Sequence, residues 1–91
     1  MTKRIHISAV GRVQGVGYRF FVHDIAASMN LSGWVRNCFD GAVEMEVQGE
    51  PEALDLFCEK VKKGPALAEV TGFEIREITK LENELNFKIK H

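Results

Sequence analysis

The sequence predicts an α+β sandwich in which one antiparallel sheet carries two helices on a single face. Three observations lead there. Several segments alternate apolar and polar residues, which is the two-residue period of a strand with one buried face. Two segments instead place apolar residues at i, i+3, i+4 and i+7, the stripe of a helix lying on a core. Each helical segment has one stripe and each strand one apolar face, so the economical packing is helices on one side of a sheet.

The elements follow in order. Residues 3–10 read as a strand, with Ile5, Ile7 and Ala9 on one face and His6 and Ser8 on the other. A glycine-rich loop takes residues 11–18. A helix over residues 19–30 has Val22, Ile25, Ala26 and Met29 as its stripe. Asn30 suits a left-handed helix end, with Leu31 packing back. Gly33–Phe39 is rich in strand-favouring residues. Asp40-Gly41 signals a two-residue hairpin, and Ala42–Gln48 returns with Val43, Met45 and Val47 inward and Glu44, Glu46 and Gln48 outward. A second helix spans residues 51–63, begun by Pro51 and stopped by Gly64-Pro65. Its stripe is Leu54, Phe57, Cys58 and Val61. Residues 69–79 form a fourth strand, Glu82–Glu84 a turn, and Phe87 and Ile89 a short terminal strand. The order βαββαβ, plus that last strand, is the ferredoxin-like split arrangement.

Length and composition set limits. The 91 residues suit one domain, residues 1–91, with a small, simple core. The net charge of −1, with acids and bases mixed, gives no electrostatic case for a nucleic-acid partner. An RNA-recognition module could share this strand order, but it would carry exposed stacking aromatics where Glu44, Glu46 and Gln48 stand. No apolar run approaches the roughly 20 residues of a membrane span, and Met1–Ile5 leads into a strand rather than a signal segment. A cytoplasmic monomer is expected. Cys38 and Cys58 lack metal-ligand spacing and are expected to be reduced.

The chemistry centres on Val10-Gly11-Arg12-Val13-Gln14-Gly15-Val16-Gly17-Tyr18-Arg19. Glycines let a backbone turn tightly and let a ligand approach it. Successive N–H groups in such a turn converge into an anion site, reinforced by the helix start that follows. Arg19 sits at that start, where the dipole disfavours a cation. It makes most sense there if an anion lies between it and the loop. Glycines alone are also compatible with a plain tight turn. The P-loop ending Gly-Lys-Ser/Thr is absent, and the dinucleotide fingerprint fails because Phe20 occupies the third glycine position.

In the split topology the first two strands run the same way with the third between them. Their ends lie about 10 Å apart on one edge of the sheet. The loop leaves one end; Arg36-Asn37 sits near the other. Asn37 is a polar residue in an apolar strand, which its propensity disfavours. The residues alone allow a pre-turn Asn or a water-binding one.

Val10–Arg19 resembles the first signature of the acylphosphatase family. Gly33-Trp34-Val35-Arg36-Asn37, followed by Gly41, Val43 and Gly49, resembles its second signature with the same spacings. The resemblance covers nearly the whole chain. It implies hydrolysis of the carboxyl–phosphate bond of acyl phosphates, with no metal and no cofactor. It implies that the main chain of Gln14, Gly15, Val16, Gly17, Tyr18 and Arg19 cradles phosphate, that Arg19 neutralises it and that Asn37 positions the attacking water. Tyr18 stands where the family often has Phe or Met, a change that leaves the loop chemistry intact. The residue inventory agrees. The loop has no Cys, Ser or His nucleophile, and a carboxylate leaving group needs no general acid. His6 and His91 read as surface residues, His23 as a surface residue or one that supports the site from behind rather than a proton shuttle, Arg12 and Arg36 as solvated cations, Cys38 as a packing residue, and Lys60–Lys63 as a solvated helix end. The rival reading is a non-catalytic module that binds phosphate or an acyl phosphate.

Overall fold

The computed structural model describes residues 1–91. Its elements are β1 (Lys3–Arg12), α1 (Tyr18–Ser28), β2 (Ser32–Asn37), β3 (Val43–Gly49), α2 (Pro51–Lys63), β4 (Glu69–Ile78) and β5 (Phe87–Ile89). The sheet order is β4-β1-β3-β2-β5. Because β3 pairs antiparallel with both β1 and β2, those two strands run the same way and end on one edge, as the split topology requires.

The alternation in the sequence becomes the core. Ile7, Ala9, Val35, Val43, Met45 and Val47 are buried beneath Val22 and Ala26 of α1 and Phe57 and Val61 of α2. Removing this apolar surface from water, at about 1.5–3 kcal/mol per large side chain, is what holds the helices on the sheet. Helix α1 ends where read. Asn30 takes φ +57°, and the Leu31 N–H returns to the Ala26 carbonyl at 2.9 Å. Both cysteines are free thiols.

The sheet is mixed, which corrects the expectation of an antiparallel one: β5 pairs parallel with β2. Strand β4 lies at one edge and β5 at the other, so the connection 79–86 must cross the sheet and turn back. That reverses β5 relative to β4 and aligns it with β2. The crossing covers the sheet face that lacks helices. Gln48 exchanges two bonds with the Leu81 main chain, both at 2.9 Å. Beneath it Arg4 is 1 % exposed, held by Glu46 at 2.8 Å and Glu84 at 2.7 Å. A guanidinium is tolerated there because its donors are paired on three sides, Gln48 being the third at 3.1 Å.

Two further boundaries move. Strand β1 continues to Arg12, with a register irregularity between Val10 and Gly11, so the loop shrinks to residues 13–17. Strand β2 stops at Asn37. The Gly41 N–H bonds the Cys38 carbonyl at 3.2 Å, which centres the turn on Phe39-Asp40 rather than Asp40-Gly41. Asp40 fixes this turn by accepting the Ala42 N–H at 3.0 Å. Phe39, read as a strand residue, is therefore a fully exposed turn residue.

Candidate active site

The site forms where β1 and β2 end. Gly15 and Gly17 take φ +74° and +78°, and the two left-handed residues bend the chain out of β1 and straight into α1. Gly17 is the N-cap of α1, so Tyr18, Arg19 and Phe20 form its first turn. From Gln14 to Phe20 no main-chain N–H donates to another backbone carbonyl. The first-turn donors have no intrahelical acceptor by construction, and no acid stands in that turn to take them. This is a run of free donors at the positive end of a helix, the arrangement that suits an oxyanion.

Gln14 within the loop and Tyr18 just after it hold the loop by their side chains. Gln14 Nε2 donates to the carbonyls of Cys38 and Ala42, at 2.8 and 2.9 Å. It ties the loop to the β2–β3 hairpin that carries Asn37. Tyr18 is buried, and its hydroxyl donates to the Val61 carbonyl on α2 at 2.7 Å. Burial holds its phenol above its ordinary pKa, which keeps it a donor. Val16 is half-buried.

Arg19, Asn37, Gly15 and Gly17 come together. With Phe20, and over Val13 and Tyr18, they line one cavity of about 130 Å³. Arg19 forms no salt bridge; it reaches the Lys90 carbonyl at a long 3.4 Å. The Oδ1 atom of Asn37 is buried without a hydrogen-bond partner. A buried carbonyl oxygen left unpaired costs roughly 1–3 kcal/mol, so the fold carries a penalty at this one amide. Asn37 also borders a second cavity of about 560 Å³, which Phe39, Arg36 and His91 help to line. A groove of similar size between α2 and β4 includes none of these residues.

The other polar candidates lie elsewhere. His23 sits beside Asp24 at 3.5 Å, with its ring 6.2 Å from that of Phe87. His6, read as a surface residue, is half-buried and bonds Glu44 at 2.9 Å; Arg36 grips the same carboxylate. That pairing, His6 first, holds Glu44 below the ordinary carboxylate pKa. Burial raises the Cys38 thiol, with Glu44 and Asp40 adding to the shift, and pushes Cys58 up to about 11. Neither is a thiolate poised for attack. Sequence reasoning passed over the Gln14 side-chain bonds, Phe20 at the rim and the orphaned oxygen of Asn37. The available signals were the position of Phe20 off the helix stripe and that of Asn37 in an apolar strand.

A split βαβ sandwich with a donor-rich loop, a guanidinium without a salt bridge and an orphaned amide oxygen at one sheet edge has the chemistry that suits a small oxyanion. The family match is specific: residues 5–89 fit Acylphosphatase, and the chain belongs to that family, whose members hydrolyse acyl phosphates. It is 44% identical over 89 residues to an acylphosphatase of Geobacillus kaustophilus, covering 98% of this chain and 95% of that one. It superposes on the crystal structure of acylphosphatase from Bacillus subtilis with a TM-score of 0.93 at 41% identity, covering 100% of each. It also matches part of full-length HypF solved in a phosphate- and nucleotide-bound form. There the TM-score is 0.87 at 31% identity, over 100% of this chain and 12% of that one.

Proposed function

We propose that this enzyme cleaves the carboxyl–phosphate bond without a metal, using the Gln14–Arg19 main chain, the Arg19 guanidinium and the Asn37 amide. The free N–H groups of the loop and helix start take the phosphate oxygens. Arg19 offers two parallel donors to two of them, a fork that Lys could not reproduce. Asn37 Oδ1 accepts a hydrogen from a water and aims its lone pair at phosphorus. The water oxygen forms the new P–O bond. The bond from phosphorus to the carboxyl oxygen breaks, and the carboxylate leaves with its electron pair. The water's proton passes to a phosphate oxygen.

No carboxylate, imidazole or thiol lines the cup, so positioning and charge stabilisation carry the rate. That suffices because a carboxylate departs readily as an anion. The observation that carries this reading is Asn37, whose Oδ1 is buried without a partner and which lines the cavity that Arg19 shares.

The test is hydrolysis of benzoyl phosphate in excess EDTA by the wild type and by Asn37→Ala. Turnover in EDTA that falls at least about 10²-fold in the variant is expected, the scale of one preorganised group lost. Loss of wild-type turnover in EDTA would refute metal independence. Undiminished turnover in the variant would refute the role of Asn37.

A further inference from the structure

We propose that Phe20 is the platform for the acyl group, and that the enzyme favours acyl phosphates whose acyl group is apolar and broad, aromatic ones above all. This rests on the reading that phosphate occupies the Gln14–Arg19 loop. Phe20 is 63% exposed, although it is a large aromatic residue in the first turn of α1. It does not serve the fold, because the buried side of α1 is Tyr18, Val22 and Ala26. It instead lines the same cavity as Arg19 and Asn37.

That cavity, about 130 Å³, has room for a phosphoryl group and a water and little more. The acyl part must therefore project over the rim. In-line displacement sets its direction: the leaving oxygen lies opposite the attacking oxygen across phosphorus. With the water on Asn37, the acyl group points away from the end of β2. The larger cavity beside Asn37, with Arg36, Cys38 and Phe39, is then on the wrong side. Of the remaining walls, Gly15 and Gly17 have no side chain and Val13 and Tyr18 are buried. Phe20 is left as the exposed apolar surface.

Charge points the same way. Arg19 is the only cation on the cavity wall, and the phosphate claims it. An acyl group with its own negative charge would find no partner there. An aryl or broad alkyl group would cover the Phe20 ring, and an aromatic one would add ring-to-ring contact.

The experiment compares kcat/KM for benzoyl phosphate and acetyl phosphate in the wild type, Phe20→Ala, Phe20→Leu and Phe39→Ala, with folding checked by circular dichroism. Phe20→Ala is expected to lower kcat/KM for benzoyl phosphate about tenfold, mainly through KM, the scale of losing one aromatic contact with its buried area. Acetyl phosphate should change by less than about twofold, since its methyl covers little of the ring. Phe20→Leu should recover part of the loss, and Phe39→Ala should leave the ratio of the two substrates as it was. Equal losses on both substrates in Phe20→Ala, or a shift in the ratio that follows Phe39→Ala, would overturn the platform. A folded wild type that hydrolyses neither substrate would overturn the phosphate reading itself, and the platform with it.

Discussion

The Tyr18 hydroxyl donates to the Val61 carbonyl across 2.7 Å, and this bond closes a gap that the sequence of α2 creates. In a continuing helix the Val61 carbonyl would accept from residue 65, but Pro65 has no N–H. Tyr18 supplies the donor from the first residue of α1, directly beside the loop. Tyr18→Phe keeps the ring and leaves that carbonyl buried and unpaired. A loss of about 1–2 kcal/mol is expected in urea unfolding. Turnover should stay within about threefold, because the role proposed for the loop needs only the main chain of this residue (a factor of three is under 1 kcal/mol). A variant as stable as the wild type would show that the bond contributes nothing.

Asn37 presents the opposite balance. Its Oδ1 is buried with no partner in the folded protein, so the fold does not depend on that atom. Asn37→Ala removes an uncompensated polar group, and stability should stay within about 0.5 kcal/mol of the wild type or rise. The same variant is the one expected to lose turnover. Denaturant unfolding measured beside the activity assay separates the two roles. Destabilisation beyond about 1 kcal/mol would mean that Asn37 is a structural residue.

Gln14 holds two elements at once, with both bonds made by its Nε2 donor to the carbonyls of Cys38 and Ala42. Gln14→Ala is expected to cost about 1–2 kcal/mol. Gln14→Glu should cost more, since a carboxylate would face two carbonyl oxygens with no hydrogen to offer. The urea midpoints should therefore fall in the order wild type, Ala, Glu. A glutamate variant more stable than the alanine one would contradict this geometry.

Local pattern and long-range covering explain what the sequence disclosed. The alternation at Ile5, Ile7 and Ala9 and the stripe at Leu54, Phe57 and Val61 depend on residues close in the chain, and they predicted the core faces correctly. That Arg19 and Asn37 would lie near one another was legible because the topology brings two strand ends to one edge, whereas the roles expected of them came from the resemblance of the two signatures. Arg4 was not legible. It sits in a strand at a position that would face water, and is buried only because residues 79–86, far along the chain, cross over it. The same crossing turns β5 parallel to β2, a direction no local pattern encodes. The hairpin centre shifted by one residue because the Asp40 side chain captures the Ala42 N–H, a choice between neighbouring turns that Asp40-Gly41 alone leaves open.

Glu44 gives the fold an acid limit. Its carboxylate is held below the ordinary value of 4.5 by the His6 hydrogen bond first and by Arg36 after it. A group whose pKa is lower when folded binds its proton more readily in the unfolded chain. Its contribution is therefore complete above its unfolded pKa, and is lost as pH falls through the folded value. Urea unfolding of the wild type and Glu44→Gln between pH 6 and pH 3 tests this. The wild type should be the more stable at pH 6, and the difference should narrow once pH falls below about 4.5. A constant difference across the range would mean that the pairing with His6 and Arg36 does not favour the ionised carboxylate.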